Sequence, residues 1–318
     1  MVVTRLVNDP ATGTVADRLE AIYPVLAVEL LAWDIREEKD VFTQCASVRD
    51  GHAPLATLPL PCRAMIVELA PELDALVAAR GAQHIGDASR WQDLQWWPLA
   101  RAVTAVALRA RIMLEEGHAP QRAVDACLGI VELWRDISHV AAIQTASASS
   151  TLVIRIAPVC RDAVAQLGST ARRDARTRLL AALSDAAPIS SAVRREALLG
   201  ELAVFVPSFV SGTPTTLHPA AQRRADKSRL INEPAQEPWW LAPFVLPAVW
   251  QSYIDVMNAI ARHADDRPQE ATQAIRAILG DPEIADLARS AASARWGNHL
   301  QTQHGAREIV RGLAAGSR

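Results

Sequence analysis

From Leu99 to Glu116 the apolar side chains return every three or four positions. Leu99, Val103, Val106, Ala110 and Met113 make one face, and Ala102, Ala105, Leu108 and Ile112 make a second. That spacing predicts an α-helix. Apolar surface on two sides predicts a helix sandwiched between neighbours. Gly117 ends it, and Pro120 opens another that turns Val124, Cys127, Val131, Trp134 and Ile137 inward and is expected to run to about Ser147. The same reading gives a helix from Thr14 to about Lys39, and one over Arg63–Arg80 split at Pro71. Further ones run from Ser149 or Ser150 through Leu167 with Pro158 inside, from Ser169 or Thr170 to Leu183, and from Ser190 to Val206. Towards the end come a helix reaching about His263, one over Pro268–Leu279 capped by Asp266, one from Asp281 to near Gly297, and a last from about His299 to Leu313. No stretch alternates with a period of two. The predicted fold class is therefore all-α: ten or more helices, as an irregular multi-helix bundle or a short α-solenoid of packed helix pairs.

The longest polar, proline-containing stretch is 207–238, which reads as a loop or linker. It sets off an N-terminal helical domain, 1–206, from a C-terminal helical segment, 239–318. That segment is expected either as a separate body or packed on the first as a single domain.

Composition supports helices over sheets. Half of the 318 residues are hydrophobic, alanine and leucine dominate, and there are 14 glycines. The net charge of -2 gives no global attraction to nucleic acid, so no nucleic-acid partner is expected. No apolar run is long enough to span a membrane, and the first ten residues do not read as a secretory leader. A cytoplasmic location is the default, with the periplasm as the alternative if a leader was removed. Cys45, Cys62, Cys127 and Cys160 include no CxxC pair, and the expectation is buried free thiols. Disulfides are the alternative for an exported chain.

Leu99–Ile137, a helix pair turning at Gly117 with Ala123 early in its second helix, resembles a tetratricopeptide unit. The spacing from Gly117 to Ala123 is one residue longer than the family's, and its Trp-Leu-Gly-Tyr pattern and closing proline are missing. No second copy follows at the family's period. The resemblance implies a protein-binding scaffold, since such repeats present grooves.

Chemistry-bearing motifs are scarce. The phosphate-loop, dinucleotide, zincin and nucleophile-elbow patterns are all missing, and no cofactor or metal is expected. Glu115 and His118 have the E-x-x-H spacing of a di-iron ligand pair but straddle Gly117, and Asp136 with His139 repeats the spacing with a shorter acid. Asp265-Asp266-Arg-Pro-Gln-Glu270 resembles the aspartate-rich motif of terpene cyclases, which would imply a magnesium site. Pro268 and an expected helix cap count against it. His299 and His304 diverge on their helix and read as solvated. Glu29 and Arg155 stand inside apolar runs, either as buried partners or, the favoured reading, as exposed stripes.

Nine tryptophans stand against two tyrosines and four phenylalanines. Trp91, Trp96 and Trp97 form one group, and Trp239, Trp240 and Trp250 another, both beside prolines at helix starts. They read either as plugs between alanine-rich helices or as an aromatic-lined groove, and they are the candidate partner- or ligand-binding residues. The leading functional expectation is a non-enzymatic helical scaffold holding a protein or peptide partner in an inter-helix groove. The alternatives are a small-ligand carrier or enzyme with a tryptophan-lined pocket, and an accessory protein of a bacterial export or envelope system.

Overall fold

Proline marks where several helices begin. Pro61, Pro71 and Pro268 sit in first turns, and Pro120 opens its helix. Proline's fixed φ suits that turn, and its missing N–H would have had no intrahelical partner there. The computed structural model describes residues 39–80, 96–117, 120–139, 141–200, 242–281 and 296–316, together with Leu19. Among these, every regular element is a helix. In chain order they are α1 (Lys39–Arg49), a 3-10 turn (Leu55–Thr57), α2 (Leu60–Glu68), α3 (Ala70–Ala78), α4 (Trp96–Glu115) and α5 (Pro120–Ser138). Then follow α6 (Ile143–Gln166), α7 (Ser169–Asp185), α8 (Ile189–Gly200), α9 (Ala242–His263), α10 (Pro268–Gly280) and α11 (Trp296–Ala315). The all-α expectation is met. The expected linker at 207–238 lies outside the described residues.

The chain forms two compact units that do not follow chain order. The first comprises Met1–Val140, Ala148–Ala186 and Gly305–Arg318; the second comprises Ala141–Ser147 and Ala187–His304.

In the first unit α4 is the central helix, packed against α1, α2, α3 and α5. Both of its apolar faces are used: Leu99, Val103, Val106 and Ala110 are buried on one, and Ala102, Ala105 and Leu108 on the other. Gly117, at φ 71°, takes the left-handed conformation that ends a helix. The returning helix α5 buries Val124, Cys127, Val131, Trp134 and Ile137. On its other flank Glu132 accepts from Arg80 at 2.9 Å and from Arg178 of α7 at 2.7 Å.

α5 approaches α3 closely at Gly129. A Cβ there would stand 2.7 Å from Val77 Cγ1 and 2.8 Å from the Val77 carbonyl oxygen. Alanine would favour the helix by about 1 kcal/mol, but overpacking costs about 1–3 kcal/mol or more, and a backbone oxygen yields less than a side-chain tip. Gly129→Ala is therefore expected to destabilise the chain by about 1–2 kcal/mol in urea unfolding. An unchanged or higher midpoint would show that α3 is free to move away.

Two boundaries differ from expectation. α5 stops at Ser138, and α6 begins at Ile143 and runs unbroken through Ser149 and Ser150. Those serines do not cap a helix; both are buried, and Ser150 Oγ accepts the indole N–H of Trp134 at 3.3 Å. Nor does Ser169 cap α7, whose N-cap is Gly168. Instead Arg172 reaches back and donates to the carbonyls of Val164, Ala165 and Leu167 at the end of α6.

The cysteines also differ. They are not free thiols but two disulfides, Cys45–Cys62 between α1 and α2 and Cys127–Cys160 between α5 and α6. Helix packing brings the paired Cα atoms to 6.3 and 5.4 Å, within the reach of a disulfide. All four cysteines are buried.

In the second unit α9 packs against α8 and α10. Val193 and Ala197 of α8, Val256, Met257 and Ile260 of α9, and Ile275 of α10 close its core. The N-terminus of α8 is capped from a distance: Asp265 accepts from the backbone N–H of Ile189 at 2.6 Å and of Ser190 at 3.3 Å. A carboxylate suits that helix end, where backbone donors are open and the dipole is positive.

Candidate binding cleft

Three helices of the first unit leave a cleft of about 400 Å³ between them. Each contributes a stripe at helical spacing. α3 gives Leu73, Asp74 and Val77; α4 gives Val106, Arg109, Ala110 and Met113; α5 gives Arg122, Asp125 and Ala126. Leu73, Val106 and Ala110 are almost fully buried and form the floor. Val77, Met113 and Ala126 are half-buried and form the walls.

Among the described lining residues the charges stand at the rim and are balanced, two acidic and two basic. Arg109 bridges α4 to α3, pairing with Asp74 at 2.7 Å and donating to the Ala70 carbonyl at 3.4 Å. Asp74 remains 68% exposed in that pair, so it is open to exchange its partner. Asp125 accepts from Gln121 at 3.2 Å and lies 3.8 Å from Arg178. Arg122 is exposed. An exposed ion pair contributes at most about 1 kcal/mol, so the rim can rearrange around a partner at little cost. The size matches a small-ligand pocket and admits one or two large side chains.

The cleft lies on the helix pair Leu99–Ile137, and no tryptophan is among its described lining residues. Trp96 and Trp97 stand in the first turn of α4, about 15 Å along the axis from Val106. Trp250 lies in α9 of the second unit, and Trp91, Trp239 and Trp240 lie outside the described residues. Met113 and Val106 were on a predicted apolar face. The missed signal was Arg109, a charge standing between two apolar stripes.

The acid–histidine spacings are engaged in ordinary contacts. Glu115 pairs with Arg111 at 2.8 Å, Asp136 pairs with Arg135, and His139 is exposed; His118 lies outside the described residues. In the aspartate-rich stretch, Asp265 caps α8, Asp266 meets His263 Nδ1 at 2.8 Å, and Glu270 opens the first turn of α10. His299 and His304 are half-buried on α11. No group of three or more histidines, cysteines or acids among the described residues could hold a metal. Arg155 is not on an exposed stripe as favoured; it is half-buried and donates to Thr104 at 3.0 Å, while its neighbour Ile154 is the exposed one. Glu29 lies outside the described residues. No helix among the described residues is long and apolar enough to cross a membrane.

Compared with known proteins, the chain matches no family model, no curated sequence and no solved structure.

Proposed function

We propose that the chain is a helical partner-binding protein that holds a peptide segment in the cleft between α3, α4 and α5. The carrying observation is the form of that cleft: an apolar floor of Leu73, Val106 and Ala110 beneath a charge-balanced rim. The floor takes an apolar anchor side chain, and Asp74 and Arg109 accept one basic and one acidic neighbour, which sets the direction of the segment. The tetratricopeptide resemblance of the same helix pair supports a groove-presenting role. The polar groups of the cleft stand at its rim instead of converging inside it, which favours partner recognition over a small-molecule carrier or enzyme.

The test is selection from a displayed peptide library on the oxidised full chain, with Arg109→Glu beside the wild type. Selected peptides should carry a large apolar residue flanked by charge. They should bind Arg109→Glu about tenfold more weakly, a difference of about 1.4 kcal/mol, with helicity unchanged by circular dichroism. Peptides that bind both proteins equally would remove the cleft from the reading.

A second observation bears on location. Two buried disulfides favour an oxidising compartment over the cytoplasmic default. That supports the reading in which the partner belongs to an export or envelope system.

A further inference from the structure

The two most exposed large hydrophobic side chains among the described residues stand on one short helix. Leu60 is 80% exposed and Val67 is 73% exposed, both on α2. Ala64 between them is exposed as well. Positions 60, 64 and 67 follow at one-turn steps, so they share a face. Single hydrophobics scattered over a surface need no explanation, but a contiguous apolar face marks a contact. The opposite face is fixed: Cys62, Met65 and Ile66 are buried, and Cys62 is bonded to Cys45 of α1. The outer face therefore stands on a rigid base, and a rigid surface loses little freedom on binding.

The charges of the same helix indicate what fits there. α2 carries two, Arg63 and Glu68. Arg63 turns back to the Leu55 carbonyl at 3.3 Å. Glu68, one turn beyond Ala64, is exposed and pairs with no described residue. At the other end of the helix Pro59 stands at the N-cap without a side-chain bond, and the first turn holds no acid. The positive end of the helix dipole is thus uncompensated. One end of the face lacks an anion and the other end carries one. Two copies laid antiparallel, with Ala64 on the two-fold axis, bring each Glu68 to the partner's Leu60, at that positive end. Leu60 then packs beside the partner's Val67. The small Ala64 side chains let the helix axes approach to about 8 Å.

We propose that the outer face of α2, Leu60, Ala64, Val67 and Glu68, is the contact of a two-fold dimer, with a second copy of this chain as its occupant. A face whose two ends complement each other in this way satisfies the self-complementarity of an isologous contact. It lies apart from the peptide cleft, none of whose described lining residues belongs to α2.

The experiment is sedimentation velocity of the oxidised full chain at concentrations from about 1 to 200 µM, the range in which a contact this small associates. The expected result is a reversible shift from the mass of one chain to that of two. Leu60→Glu should weaken association at least about tenfold, since it sets an acid against the partner's Glu68. It should not lower the Tm, because position 60 is exposed and an acid suits the first turn of its own helix. Combining Leu60→Glu with Glu68→Lys should recover much of the association, since positions 60 and 68 then carry opposite charges across the axis. The mass of one chain at every concentration, or growth beyond two chains, would overturn the dimer. A dimer that Leu60→Glu leaves intact would overturn this face, and a double variant that recovers nothing would overturn the antiparallel contact.

Discussion

Trp134→Ala is expected to be among the most damaging single substitutions in the first unit, at about 3–5 kcal/mol of stability. The indole is only 3% exposed, in the middle of the buried face of α5. Its removal loses the transfer of a large ring and leaves a cavity that helices on several sides cannot close together. Two further contacts go with it. The Nε1–H donates to Ser150 Oγ at 3.3 Å, and the Arg307 guanidinium lies 6.0 Å from the ring centroid. At that distance the cation–π attraction is at the weak end, about 0.5 kcal/mol. The ring volume therefore dominates, and Trp134→Phe should lose only about 1–2 kcal/mol, mostly through the lost hydrogen bond to Ser150. Urea unfolding followed by circular dichroism measures both. A loss below about 1 kcal/mol for the alanine variant would mean that the site collapses onto the gap or that the ring is not a core element.

That a solitary tryptophan is so deeply packed shows where sequence reasoning reaches and where it stops. The i, i+3/i+4 rhythm placed Trp134 inward along with Val131 and Ile137, because helical period alone decides which side of α5 is apolar. The same rhythm anticipated both buried faces of α4. Clustering is a different signal: Trp96 and Trp97 draw attention by adjacency, yet adjacency on a helix says nothing about which neighbours close over them. The end of α5 was misplaced for a similar reason. Ser149 and Ser150 look like caps in one dimension, but the partner of Ser150 is an indole on the preceding helix. Remote caps such as Asp265 on α8 leave no local trace at all.

The candidate cleft was half legible. Its apolar residues on α4 followed from periodicity, and a groove on the pair Leu99–Ile137 was the functional expectation. Leu73 and Val77 come from a helix well before that pair in the sequence, and no pattern in α3 indicates that it lies against α4 and α5. The ion pair of Asp74 with Arg109 spans 35 residues. The hydrogen bonds of Arg49 and Arg155 to Thr104 were harder still, since these are two among many arginines spread along the chain. The packing of α1, α4 and α6 brings them together.

The cysteines carry the other large expected effect, and it reaches beyond stability. Cys45–Cys62 closes a separation of 17 residues and Cys127–Cys160 one of 33. On chain entropy each is worth about 3–4 kcal/mol. Doubling a loop adds only about 0.6 kcal/mol, so the two crosslinks should be of similar value. Cys127→Ala with Cys160→Ala, and Cys45→Ala with Cys62→Ala, are each expected to lower stability by about 2–4 kcal/mol in unfolding without reductant. In the presence of reductant the gap between wild type and either variant should narrow, because the wild type then loses its own crosslinks once it opens. The thiol count is the sharper observation. Denatured protein from its native source, alkylated without prior reduction, should show no free cysteine. Four alkylated cysteines would restore the buried-thiol expectation and with it the cytoplasmic default. None would mean that the chain matures where disulfides form, and that its partner should be sought there.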